Sequence, residues 1–116
     1  NTDWNMPYSP PVTFQWIRSI DRAHSLLQKK RRDIAVPIMV MHSSRKVSGC
    51  SWTPEFQTGD CVLDPAMLAR IGATLGSTRE VATIDSGIHD LILSEPVPRE
   101  ATYDTIFSFL RKYEGR

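Results

Sequence analysis

The sequence predicts an α/β fold with a parallel sheet, because helix-like and strand-like segments alternate along the chain. Helices are predicted at about residues 14–31, 65–75 and 99–113, and strands at about 35–42 and 79–84. The first strand is a continuous apolar run, which is typical of a strand buried on both faces of a parallel sheet. Such a strand needs a neighbour on each side, and the sequence predicts only one. We therefore expect part of the sheet to lie outside this sequence.

The first helix is predicted from an N-cap and an apolar stripe. Thr13 can cap the helix, and the cations of residues 29–32 suit its last turn, where they form a solvated end. Three prolines before Thr13 predict an extended lead-in over residues 1–12. The stripe consists of Phe14, Ile17, Ile20, His24 and Leu27, and His24 on this face is expected to be packed or half-buried.

The second and third helices also show defined ends or faces. Asp64 and Pro65 suit the N-cap and first position of the second helix, and Gly76 suits its C-terminal cap. The third helix is predicted to bury one apolar stripe in the core, unless the missing half of the protein exposes it. That stripe consists of Tyr103, Ile106, Phe107 and Leu110.

Composition excludes several classes of protein. The chain is 41% hydrophobic and 23% charged with a net charge of +1, which argues against disorder and against a basic nucleic-acid-binding surface. No membrane-spanning run or signal peptide is apparent, and two cysteines make no disulfide framework, so we expect a cytoplasmic protein. The spacing of the histidines and cysteines fits no metal site, and no cofactor is expected. Because the start is polar and lacks Met, we expect a chain that is processed or is cut from a longer protein.

The chemistry-bearing residues follow the two predicted strands. Sites of open α/β sheets lie beyond the carboxyl ends of the strands. Residues 43–60 form a long loop that ends in Asp60, with Trp52 and Phe56 as expected aromatic anchors, and the loop after the second strand holds His89. A carboxylate beside an imidazole fixes its tautomer and stabilises the imidazolium, which is the acid–base half of a nucleophilic hydrolase.

Other acids compete with Asp60 for this role. Asp64 already has a local role as an N-cap, whereas Asp60 shows none and follows Gly59 in a tight turn, so Asp60 is preferred. Asp85 and Asp90 are interpreted as a turn acceptor and a surface residue. His42 is interpreted as structural, although it can also line the site.

Three blocks carry a resemblance to a known family. They are Pro37-Ile38-Met39-Val40-Met41-His42-Ser43, Gly59-Asp60-Cys61-Val62-Leu63-Asp64 and Ser86-Gly87-Ile88-His89-Asp90-Leu91-Ile92-Leu93-Ser94. In order and spacing they resemble the C-terminal part of α/β-hydrolases of the lysophospholipase, monoacylglycerol-lipase and serine-aminopeptidase-like branch. The resemblance covers nearly the whole chain. It implies that Asp60 is the acid and His89 the base of a Ser-His-Asp triad.

The nucleophile motif of that family, G-x-S-x-G, is not in the sequence. The nearest match, residues 72–76, has threonine in place of serine and is interpreted as a helix end. The resemblance therefore implies that residues 1–116 are a single C-terminal fragment of a hydrolase domain. Its partners are then the N-terminal half and a small ester substrate, a lipid ester among the options, and alone it is inactive. The alternative is a non-catalytic α/β module that binds a partner, or a second copy of itself, through an exposed sheet edge.

Overall fold

The computed structural model describes residues 11–114, and the chain divides into two compact units, residues 1–31 and 32–116. The elements follow the order helix, strand, helix, strand, helix. They are α1 (Phe14–Lys30), β1 (Ile38–Ser43), α2 (Pro65–Gly72), β2 (Arg79–Ile84) and α3 (Pro96–Tyr113), with short 3-10 helices at Pro54–Gln57 and Leu91–Leu93. The predicted α/β class is confirmed, although this small sheet is common to many α/β proteins. The predicted lead-in lies mostly outside the described residues, and residues 11–13 form neither helix nor strand.

In the first unit, α1 begins as predicted, because Thr13 Oγ1 accepts a hydrogen bond from the Trp16 N–H at 3.1 Å. Its apolar stripe is not buried: Phe14 is 87% exposed and Ile17 is 49% exposed. The prediction that His24 is packed is wrong, because His24 is exposed. A single helix cannot cover its own apolar face, and α1 is the only helix that the structure describes in this unit.

In the second unit, β1 and β2 form a parallel two-stranded sheet, with Ile38 opposite Arg79 and Ser43 opposite Ile84. β1 begins at Ile38, three residues later than predicted. The reason is that Pro37 has no N–H, so the first ladder bond is donated by the Ile38 N–H to the Thr78 carbonyl at 3.0 Å. β2 has the predicted limits.

The two helices of this unit lie over opposite faces of the sheet. Gly72 of α2 lies directly against Val40 of β1. On the other face, Met41 shares a cleft with Thr102 and Ile106 of α3. Because neighbouring residues of a strand point to opposite faces, the sheet lies between α2 and α3. Within residues 11–114, no helix is both long and apolar enough to cross a membrane.

The predicted face of α3 is wrong. Tyr103, Phe107 and Leu110 are 43%, 52% and 54% exposed, and Ile106 is half-buried. The more buried residues of α3 instead include Pro98, Thr102, Thr105 and Phe109, spaced three or four apart, together with Ile106 of the predicted stripe. Lys112 lies towards the sheet as well, and its Nζ is 2.5 Å from Oε1 of Glu80 on β2. The helix also begins at Pro96, one turn earlier than predicted.

α2 confirms its predicted start and ends earlier than predicted. Asp64 Oδ1 accepts hydrogen bonds from the N–H groups of Ala66 and Met67, so Asp64 is the N-cap. The regular helix stops at Gly72, and the chain turns until Gly76, whose φ is +58°. The C-cap is Ala73, so the prediction that Gly76 caps the helix is wrong. The left-handed Gly76 instead lies in the turn through which the chain enters β2.

Candidate functional site

Asp60 and His89, the two residues predicted to carry chemistry, lie together at the carboxyl end of the sheet. His89 Nδ1 is 3.0 Å from Asp60 Oδ2. Because parallel strands end at the same edge, the loops after β1 and β2 bring these side chains together, although 29 residues separate them. Asp60 is 2% exposed, whereas the His89 side chain is 43% exposed.

The Asp60 carboxylate is held by both of its oxygens. Oδ1 accepts hydrogen bonds from the N–H groups of Val62 at 2.7 Å and Leu63 at 2.8 Å, which leaves Oδ2 for His89. The expectation that Asp60 has no local role is therefore wrong. It closes a turn with one oxygen, as Asp often does, and holds the imidazole with the other.

The charge of Asp60 is favoured in spite of its burial. Burial alone raises the pKa of this carboxyl, but the hydrogen bonds from His89, Leu63 and Val62 and the attraction of His89 together outweigh it. The pKa of Asp60 therefore lies below its ordinary value of 3.8. The ionised carboxylate accepts the Nδ1–H of His89, which leaves Nε2 of a neutral ring with a free lone pair.

Backbone bonds at the base of the long loop place Asp60. The Asp60 N–H donates to the Arg45 carbonyl at 2.9 Å, and the Val47 N–H donates to the Asp60 carbonyl at 2.8 Å. Gly59 is required here, because a Cβ on it would stand 2.5 Å from Cγ2 of the buried Val47. Backbone hydrogen bonds therefore hold the two ends of the predicted loop together, which the sequence pattern did not show.

Of the two aromatic residues that were predicted to anchor this loop, only one is partly buried. Trp52 is 69% exposed, so the prediction that it anchors the loop is wrong. Phe56 is half-buried and contacts Gly49. The 3-10 helix at Pro54–Gln57 positions Phe56 on the inner side, and Trp52 precedes it outside any regular element.

The remaining candidates have other roles. His42 is buried, its Nδ1–H donates to the Ser43 carbonyl at 2.7 Å, and Thr83 Oγ1 lies 3.4 Å from its Nε2, which fits the structural interpretation. Asp85 Oδ1 accepts from Ser44 Oγ at 3.0 Å, which joins the loops after β1 and β2 and goes beyond the predicted role of a turn acceptor. No group of three His, Cys, Asp or Glu residues in the described part of the chain can hold a metal ion.

An open cleft of about 370 Å³ adjoins His89. Apolar side chains from the strand, the last loop and α3 form most of its lining, which includes Met41, Leu91, Ile92 and Ile106. Within residues 11–114, no group hydrogen-bonds to His89 Nε2. The site therefore combines an oriented, partly exposed imidazole with an apolar surface.

We expect the Asp60 carboxylate to stabilise the fold, and to do so in a pH-dependent way. Because folding lowers its pKa, the stabilisation is complete above the unfolded value of 3.8 and is lost as the pH falls through the lower folded value. Urea unfolding of the wild type and of Asp60→Asn checks this. The wild type should have the larger free energy of unfolding at pH 6, and the difference should shrink towards pH 3. An equal difference at both pH values would contradict the expectation.

Comparisons with protein-family models, with curated proteins and with solved structures gave no match to this chain. The geometry of Asp60, His89 and the cleft is thus the evidence on function.

Proposed function

We propose that the chain supplies the acid and the base of a serine hydrolase that acts on carboxylic esters, lipid esters among them. The observation that carries the proposal is the 3.0 Å contact between His89 Nδ1 and the buried carboxylate of Asp60. A carboxylate that is buried, ionised and bonded to Nδ1 is the arrangement that prepares Nε2 to accept a proton. The proposed residue roles agree with the α/β-hydrolase resemblance stated above.

In this mechanism the nucleophilic serine comes from a segment outside the 116 residues. Its Oγ attacks the acyl carbon while His89 Nε2 takes the hydroxyl proton, and Asp60 stabilises the imidazolium. The imidazolium then gives that proton to the leaving alkoxide, and the acyl-enzyme forms. A water molecule next loses a proton to Nε2 as it attacks the acyl carbon, and the serine oxygen recovers that proton.

The apolar cleft beside His89 favours a substrate ester that carries a hydrocarbon chain. Met41, Leu91 and Ile106 can cover an alkyl or acyl chain, and removal of such surface from water favours binding by about 25 cal/mol per Å². Both cysteines are free thiols, which supports a reducing compartment such as the cytoplasm.

The proposal predicts that the 116-residue chain alone does not hydrolyse p-nitrophenyl butyrate, whereas the full product of the encoding gene does. Loss of a triad nucleophile costs on the order of 10⁶-fold in rate, so the chain alone should match the buffer blank. Turnover by the chain alone that disappears in His89→Ala would place the nucleophile within these residues and contradict the proposal.

A second candidate is a non-catalytic module that binds a β-strand at the open edge of β1. The N–H of Ile38 donates to the Thr78 carbonyl just before β2, and the N–H of Ser44, just after β1, donates to the Ile84 carbonyl. Alternate residues of β1 therefore direct their backbone groups to β2. Met39 and Met41 therefore direct their N–H and C=O groups to the opposite side. An uncovered strand edge of this kind favours pairing with another strand, from a partner or from a second copy.

Hydrogen exchange tests this edge. In the chain alone, the amides of Met39 and Met41 should exchange at least about tenfold faster than those of Val40 and His42, because a backbone hydrogen bond protects only the latter. Equal protection of all four amides at low protein concentration would show that the edge is not open. Protection of Met39 and Met41 that grows with concentration would identify a second copy as the added strand.

A further inference from the structure

A buried hydroxyl closes the turn that carries His89. The N–H of Ile88, the residue before His89, donates to Ser94 Oγ at 3.0 Å. Ser94 is 3% exposed and lies two residues before Pro96, where α3 begins. The hydroxyl therefore connects the backbone next to His89 with the start of a long helix.

This bond reaches across the whole turn. The other bonds within it are short-range: the Leu93 N–H donates to the Asp90 carbonyl at 2.9 Å, and the Ser94 N–H donates to the Leu91 carbonyl at 3.3 Å. The Ile88–Ser94 bond spans six residues. Because the His89 side chain is 43% exposed, packing constrains it only in part, and its direction depends on the backbone that carries it.

We propose that Ser94 is a positioning residue for the catalytic base, which holds the Ile88–His89 backbone so that Nδ1 stays within bonding distance of Asp60. The inference rests on the proposed function, since it gives Ser94 a role in that triad. Ser94 acts through His89 and touches no reacting atom. A 1 Å displacement of a catalytic group is costly in rate, so a fixed turn has a direct consequence for the chemistry.

Imidazole NMR of the 116-residue chain tests this role. In the wild type, the Nδ1–H of His89 should give a separate downfield resonance, because it is bonded to Asp60. In Ser94→Ala, this resonance should disappear, because the Nδ1–H proton exchanges with water and the imidazole ring samples several orientations. The Ile88 amide should also exchange about tenfold faster, as expected for the loss of one hydrogen bond of ordinary strength.

Val40→Ala is the matched control, because it removes packing against Gly72 on the opposite face of the sheet. It should lower stability and keep the His89 resonance. Retention of the resonance in a folded Ser94→Ala chain would overturn the inference. If Ser94→Ala does not fold, Ser94→Cys replaces it, because cysteine is similar in size but forms only weak hydrogen bonds. The His89 resonance and the exchange rate of the Ile88 amide are then measured in that variant, with the same expected results. A wild type without the resonance would instead contradict the Asp60–His89 pair itself, and with it the proposed function.

Discussion

Replacement of His89 by alanine is expected to lower kcat of the full gene product on p-nitrophenyl butyrate on the order of 10⁶-fold. In the proposed mechanism, loss of the imidazole leaves no group to take the serine proton or to return it to the leaving alkoxide. KM should change little, because the apolar cleft beside His89 remains. Steady-state kinetics with the ester, at enzyme concentrations high enough to detect residual turnover, measure the effect.

The matched control is His24→Ala, which removes an exposed histidine from α1. It should keep kcat within about twofold of the wild type, since surface substitutions of this kind have small effects. A loss of less than tenfold in a folded His89→Ala protein would show that His89 is not the base.

Asp60→Asn is expected to lower kcat about 10⁴-fold, the loss that follows when a triad histidine is held in the wrong tautomer. The asparagine oxygen can still accept from the N–H groups of Val62 and Leu63, so the turn is retained. Its NH₂ group then faces His89 Nδ1 and favours a ring protonated at Nε2, which cannot accept the serine proton.

Asp64→Asn separates the two acids that the sequence left in competition. Asp64 caps α2, and asparagine caps a helix about as well as aspartate, so activity and stability should stay close to the wild type. A larger loss of kcat in Asp64→Asn than in Asp60→Asn would reverse the assignment of the acid.

The sequence predicted most of the elements because local signals carry them. Thr13 and Asp64 cap their helices as predicted, and most of the strand predicted at about 35–42 forms β1, parallel to Arg79–Ile84. The pairing of Asp60 with His89 could also be anticipated, because it follows from parallel strands that end at one edge. Where local signals and topology agree, the sequence alone was sufficient to predict the element or the contact.

Features that depend on tertiary packing could not be predicted in this way. The apolar stripe of α3 suggested that Phe107 is buried, yet the ion pair of Lys112 with Glu80 accompanies a different face towards the sheet. No periodic pattern in the sequence indicates the backbone bonds that join Asp60 to Arg45 and Val47. The same holds for the hydrogen bond from the Ile88 N–H to Ser94 Oγ. Gly59 was the one available signal for the closed loop.

Fluorophosphonate labelling of the full gene product reports on the proposed triad itself, because this reagent reacts with a serine only when a base has activated it. We expect one serine outside the 116 residues to be labelled, and we expect this labelling to be lost in His89→Ala and retained in His24→Ala. The 116-residue chain alone should remain unlabelled. Labelling that is unaffected by His89→Ala, or no labelling of the full product, would contradict the assignment of Asp60 and His89 as the acid and base of a serine hydrolase.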